Sequence, residues 1–388
     1  MQELLWLLLP IAAFSGWRIG VRQAGRRGWG RRRDLRPDYF RGLNFVLNEQ
    51  PDKAIEVFIR MVEVDEDTVE THLALGSLFR RRGEVDRAIR IHQNLIARPR
   101  LEEEHRVQAV LELGQDYMKA GLLDRAEALF QELLEQDQQP ETALSLLLDI
   151  YQCEKEWHKA IDIARRLERR NGGSRRLEVA QFHCELAEEA MARGDRASAA
   201  DHVEAALAED RQCVRASLLS ARLAMDGGDW DRAARVLRRI EDQDIDYLPE
   251  VLPLLRACHE RMGDMDGLVA YLRQVLQRYP GISPVLMLAR LLRRQESPRA
   301  AAEFIAGELA RRPSVRGLRQ LMELSREAAG GECGMLYDEI TAILDKLLEG
   351  KPVYKCVHCG FSGRTLHWQC PSCKKWSTVK PIHSLEAE

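Results

Sequence analysis

The chain has 388 residues with 58 Lys and Arg against 61 Asp and Glu, a net charge of −3, and only 6% aromatic residues. That length exceeds one ordinary domain, and so few aromatic residues exclude a large β core in favour of a long helical array. Charge divides the chain in three: residues 1–36 hold eight Arg against Glu3 and Asp34, residues 351–388 hold six basic against two acidic residues, and residues 37–350 are left at −13. An acidic middle argues against nucleic acid as a partner, because phosphate binding wants a basic stripe; only the basic C-terminal segment stays open to it.

The chain begins "MQELLWLLLPIAAFSGWRIGVRQAGRRGWGRRRDLR", uncharged from Leu4 to Trp17. With Glu3 and Arg18 snorkelling to the interfaces, residues 1–20 make a short transmembrane helix, near the minimum of about 17 to 20 apolar residues. A cleaved signal peptide is the rival, but such peptides place positive charge before the apolar core, whereas here all eight Arg follow it. The positive-inside rule then puts everything after the span in the cytoplasm. Residues 21–36 form an Arg-rich juxtamembrane linker suited to anionic lipid, and Trp6, Trp17 and Trp29 suit headgroup level.

From residue 37 to 350 the sequence repeats itself. The stretches "GLNFVLNEQPDKAIEVFIRMV", "LGSLFRRRGEVDRAIRIHQNLI", "LGQDYMKAGLLDRAEALFQELL" and "SARLAMDGGDWDRAARVLRRI" share an early small residue, usually a Gly about seven later, and a late small residue within "DRA" or "DKA". The late position falls at Ala54, Ala88, Ala126, Ala160, Ala199, Ala233, Leu268 and Ala300, with spacings of 34, 38, 34, 39, 34, 35 and 32. That period and pattern resemble the tetratricopeptide repeat, a pair of helices joined by a tight turn. Gly76 with Ala88, and Gly114 with Ala126, let paired helices approach closely, while Phe58, Tyr117 and Phe130 fill the larger gaps. The longer spacings predict longer connections near Pro99 and Asn171, and the last two units are degenerate. The expected fold class is an all-α helical-hairpin solenoid, an architecture that binds peptides or partner domains.

No phosphate loop, dinucleotide fingerprint, zinc-protease helix or serine elbow is present, so no enzyme activity is expected. Cys153, Cys184, Cys213, Cys258 and Cys333 stand alone in helical segments, without a disulfide framework, and read as small buried apolar residues in a reducing compartment. His72, His92, His105, His158, His183, His202 and His259 show no metal spacing and read as surface or satisfied core residues.

Residues 351–388 differ in kind. The stretch "CVHCGFSGRTLHWQCPSCKKW" spaces Cys356-x2-Cys359-x10-Cys370-x2-Cys373. Each CxxC wraps a tight turn that points two thiolates at one tetrahedral ion, with zinc favoured and iron open. Four filled positions make the site closed and structural, leaving His358 and His367 as bystanders. A redox dithiol needs a βαβ context that this segment lacks. From Lys351 to Lys380 there is no Asp or Glu, a balance that suits a metal tetrathiolate of net charge about −2. Tyr354, Phe361, Trp368 and Trp376 are too few for a core of their own, so the aromatic residues suggest docking on the repeats or on a client.

An N-terminal apolar helix followed by Arg, repeats containing "LFRRRGEVDRAIRIHQNLI" and a terminal "YKCVHCGFSGRTLHWQCPSCKKWSTVKPI" together resemble the lipopolysaccharide assembly protein B family of Gram-negative inner membranes, over nearly the whole chain. The resemblance implies a rubredoxin-like ribbon docked on the repeats, with Cys356, Cys359, Cys370 and Cys373 as metal ligands. It also implies a single-pass, cytoplasm-facing adaptor that restrains lipid A synthesis by presenting the committed-step deacetylase to a membrane AAA-type protease, alongside other lipopolysaccharide assembly proteins. Homo-oligomerisation is compatible with it. The alternative is an electron-transfer protein with iron in the ribbon, separated from the adaptor by metal identity.

Overall fold

A computed structural model describes residues 37–48, 50–64, 69–328 and 334–387. The predicted membrane helix 1–20, the Arg-rich linker 21–36 and Cys333 lie outside the described residues. Among the described residues no helix is long and apolar enough to cross a membrane.

Two compact units divide between Ala143 and Leu144. The first holds three helical hairpins: Pro37–Leu47 with Pro51–Val64, Val69–Arg82 with Val85–Ile96, and Glu103–Ala120 with Leu123–Glu135. The helix Pro140–Glu154 runs across the division and is followed by Trp157–Asn171. The second unit continues with Arg176–Ala192 and Arg196–Glu209, Val214–Asp226 and Trp230–Gln243, then Leu248–Met262 and Met265–Val275. Two further hairpins, Ser283–Gln295 with Pro298–Arg311 and Val315–Ala328 with Gly334–Leu348, precede three short strands, β1 (Tyr354–Cys356), β2 (Ser362–Gly363) and β3 (Val379–Pro381).

The small-residue pattern works as the sequence suggests. A Cβ on Gly114 would stand 2.4 Å from the Phe130 ring, and one on Gly76 the same distance from the His92 ring. Ala54, Ala88, Ala126, Ala160, Ala199, Ala233 and Leu268 are all fully buried on the fourth residue of the second helix of their pair. At this position a β-carbon is the largest group that permits close helix packing in most pairs. The turn between paired helices needs a left-handed residue, which Gly121 supplies at φ 76°, with the N–H of Leu122 closing back on the carbonyl of Tyr117 at 2.9 Å. A longer connection falls at 97–102, as the spacing predicts, but 172–175 is no longer than 136–139 or 210–213; there the extra residues lengthen the helices Trp157–Asn171 and Arg176–Ala192.

Two further details differ from the sequence reading. In the eighth hairpin Ser297 caps the helix through the Ala300 N–H, so the buried residue is Ala301 and not Ala300. A ninth hairpin follows, missed because its corresponding position is Tyr337, and the connection before it is rich in Gly. His92 is a core histidine satisfied on one side alone: its Nδ1 lies 2.6 Å from buried Asp116, whose other oxygen accepts from Arg80 at 2.7 Å, while its buried Nε2 has no partner among the described residues.

Candidate metal centre and its docking surface

β1 is the middle strand of a three-stranded antiparallel sheet of order β2-β1-β3. Two backbone knuckles of matching geometry carry the cysteines. The N–H of Cys356 donates to the carbonyl of Phe361 and that of Gly360 to the carbonyl of Cys356; the second knuckle repeats this with Cys370, Lys375 and Lys374. The fifth residue of each knuckle has positive φ, Gly360 at 80° and Lys374 at 59°. Glycine meets this at no cost, whereas lysine carries a small left-handed penalty.

These knuckles bring the four sulfur atoms within 4.8 Å of one another, with Cys356 to Cys373 at 3.8 Å and Cys359 to Cys370 at 3.6 Å. A tetrahedral ion with metal–sulfur bonds of about 2.3 Å needs sulfur–sulfur edges of about 3.8 Å, so the donor set and its spacing fit one such ion. The electrostatics agree. Burial opposes ionisation of Cys356, but the Thr378 hydroxyl and the N–H groups of Cys359 and His358 outweigh it and lower the thiol to about 5. The Phe361 N–H also lowers Cys359. Burial, with the neighbouring sulfurs, pushes Cys370 up to about 11. Four thiolates at these distances need a cation, and without one a thiol keeps its proton.

The ribbon's own core is Cys356, Cys370 and Val379, with Tyr354, Phe361 and Leu366 around them. Its two tryptophans are spent on the helices of the second unit, while Val357 and Leu385 stay exposed. Trp376, 6% exposed, meets Phe182 and Trp157 edge-on at ring-centroid distances of 5.9 and 6.2 Å. Its indole N–H donates to Gln152 Oε1 at 2.9 Å, which also accepts from Gln369 at 3.2 Å. Trp368 stacks on Tyr247 at 5.4 Å, with the Arg215 guanidinium 6.0 Å from its ring centroid. The Tyr247 hydroxyl donates to the Val379 carbonyl at 3.1 Å, and burial beside Asp244 and Asp246 raises its pKa, keeping it a donor. Further contacts tie Ser377 to Gln181, Tyr354 to Glu250, and the tail to Val315 and Arg316. Most partners sit on the first helix of a hairpin, so consecutive hairpins present one continuous seat.

Residues 354–381 match the rubredoxin metal binding domain, and residues 71–107, 111–175 and 190–258 match tetratricopeptide repeat models. Lipopolysaccharide assembly protein B of Escherichia coli (strain K12) is 40% identical over 387 residues, covering 100% of both chains. The chain belongs to the lipopolysaccharide assembly protein B family. The Haemophilus influenzae (strain ATCC 51907 / DSM 11121 / KW20 / Rd) protein of that name is 35% identical over 398 residues, again covering 100% of both. Among solved structures, YrrB, described as a TPR protein with an unusual peptide-binding site, is 16% identical, covers 53% of this chain and 99% of its own, and has a TM-score of 0.35.

For this lipopolysaccharide assembly protein B family member the structure refines several sequence readings. Lys380, counted there as balancing the tetrathiolate, instead pairs with Asp244 at 2.8 Å and Asp246 at 3.0 Å, a strut between ribbon and helices. His358 and His367 stay out of the sulfur cluster, and Thr365 holds His367 at 3.1 Å. Cys258 is buried as expected, but Cys153 is exposed, and Cys184 and Cys213 are not solitary: their sulfurs lie 3.8 Å apart in one core. Spacing could not reveal that pair, because it spans neighbouring hairpins.

His158, His183 and His202 also converge, with His183 Nδ1 3.3 Å from His202 Nδ1 and the His158 and His202 rings 5.9 Å apart. Burial, then the neighbouring His202 and Arg165, lowers His183 from 6.5 to about 4. As pH falls, the unfolded chain takes up this proton first, so the stability from neutral His183 is present above 6.5 and drains away towards 4. Denaturant midpoints measured across that window should fall more steeply for the wild-type chain than for His183→Gln. Parallel profiles would mean that His183 titrates normally.

Proposed function

We propose that the chain is a membrane-anchored, cytoplasm-facing adaptor in the control of lipopolysaccharide synthesis. In this reading residues 1–20 hold it in the inner membrane, and residues 37–350 and 351–388 supply its protein-binding surfaces. Those surfaces present the committed-step deacetylase of lipid A synthesis to a membrane AAA-type protease. The observation that carries the reading is the ribbon's seat: Trp376, Trp368 and Lys380 are all spent on internal contacts, so the ribbon shapes a protein-binding surface. Full-length similarity to proteins named for lipopolysaccharide assembly supplies the process. Cys356, Cys359, Cys370 and Cys373 hold zinc as a closed structural ion, which ties the two knuckles together and does no chemistry on a substrate.

The reading is tested in cells by following deacetylase half-life. Deleting the chain should lengthen it severalfold. A form lacking residues 1–20 should stay folded yet fail to restore turnover at native expression, because client and protease are then met without tethering. Reporter fusions after Arg36 should report the cytoplasm. Full rescue by the truncated form, or a periplasmic reporter signal, would sink the anchored adaptor. Elemental analysis and the visible spectrum of protein purified without added metal address the rival reading: a reversibly bleached iron band in the native protein would favour electron transfer.

A further inference from the structure

Beside the docked ribbon, the helices Leu248–Met262 and Ser283–Gln295 carry two clefts that meet at Met287 and Arg290. The first, about 240 Å³, has the ribbon as one wall, through Val353, Tyr354 and Pro381, and an apolar floor of Leu252 and Leu286. The second, about 230 Å³, continues past Leu291 between Arg256 and Arg294.

The charge here runs against its surroundings. Residues 37–350 carry −13, yet the joined clefts present Arg256, Arg290, Arg294 and Arg316 against Glu250 alone. Glu250 is engaged by the Tyr354 hydroxyl. Arg256 pairs with Glu260 at 3.1 Å, and Arg316 donates to the Ala387 carbonyl at 3.0 Å. Arg290 and Arg294, both exposed, have neither an ion pair nor a hydrogen bond among the described residues. Like charges one helical turn apart repel, and no described acid is paired with either of them. Unpaired guanidinium groups over an apolar floor are matched to carboxylates on an apolar chain.

We propose that this cleft docks an extended acidic peptide segment of a protein client, with apolar residues flanking the acids on the same face. The spacing supports it. Residues four apart on a helix are separated by about 6 Å along its axis, and alternate side chains of an extended peptide by about 6.6 Å, so carboxylates at i and i+2 reach Arg290 and Arg294 together. Side chains two and four residues further along that same face of the peptide then fall towards Met287 and Leu286. Because the ribbon forms one wall, stripping its metal also opens the site. The inference rests on the adaptor reading and supplies its recognition chemistry.

The probe is a short fluorescein-labelled peptide of pattern Leu-Ser-Leu-Ser-Glu-Ser-Glu, titrated into the metal-loaded full-length chain in non-ionic detergent, beside a counterpart with Lys in place of Glu. The acidic peptide should bind and the basic one should not, with affinity falling as salt rises. Arg290→Glu with Arg294→Glu should weaken binding at least about tenfold. Glu250→Gln, which keeps a partner for Tyr354 but removes the opposing charge, should strengthen it about twofold, a gain that misfolding cannot mimic. Equal binding of both peptides, or wild-type affinity in the double variant, would overturn the proposal. So would capture of phosphatidylglycerol vesicles by the wild type but not the double variant, without peptide binding, which would assign the cleft to lipid. Chain-dependent deacetylase turnover in cells with no peptide binding sinks the cleft alone; turnover indifferent to the chain sinks the adaptor reading and leaves the binding result standing.

Discussion

Cys370→Ser, or removal of metal by a chelator, is expected to unfold residues 351–388 while leaving most of the helical signal in place. The ribbon's own buried residues are two cysteines and Val379, far short of a self-sufficient core. Structural zinc supplies about 10–16 kcal/mol in small domains of this kind, so nothing else in the segment offsets its loss. The helices behave differently. Their hairpins pack side by side through buried residues such as Ala233, Leu237, Leu255 and Leu272, none of which depends on the ion. Losing the ribbon does uncover Phe182, Trp157 and Tyr247, so the melting midpoint should fall by several degrees even as helicity at 25 °C persists. Circular dichroism, tryptophan emission and limited proteolysis together read this out: retained ellipticity, a red shift, and cleavage confined to residues after Gly350. Unchanged emission with intact protection of the tail would refute it; wholesale loss of ellipticity would make the ribbon a cap required by the repeats.

Trp376→Ala should separate docking from metal binding. The side chain is almost wholly buried between Trp157 and Phe182, and its N–H is one of two donors to Gln152 Oε1. Truncating a buried Trp costs about 3–5 kcal/mol, enough to change the bound fraction of a tethered element by a factor of 10² or more. The knuckles stay intact, because Trp376 lies outside them and its backbone bridge to Gln369 survives. Metal content should therefore remain at the wild-type level, while hydrogen exchange of β1 and β3 quickens and, under the proposed adaptor function, deacetylase turnover in cells is lost. Gln152→Ala removes only the acceptor, and should cost about 1–3 kcal/mol for the stranded donor. Wild-type exchange rates in Trp376→Ala would show that Trp368 and the Lys380 strut suffice for docking. Loss of metal from the variant would show that seat and ion cannot be separated.

Much of this was legible in the sequence because its causes are local. Two CxxC pairs announce a metal site, since each ligand pair lies within one turn; the repeat period is legible because the pattern of Gly114, Gly121 and Ala126 answers to packing inside one hairpin. Even there, the eighth hairpin shifted by one residue, because a Ser297 cap outweighed the matching of alanines. The ninth was missed because Tyr337 stands where a small residue marks the others. The tertiary structure alone decided where the ribbon goes. Trp376 and Gln152 are 224 residues apart, and an aromatic residue after a knuckle is equally consistent with docking inwards or outwards. The same holds for Cys184 beside Cys213, for the three histidines, and for Arg290 and Arg294, which have no ion pair among the described residues. Periodicity reports which face of a helix a residue occupies; which neighbour that face meets depends on the stacking of successive hairpins, and that is settled by packing across the whole array.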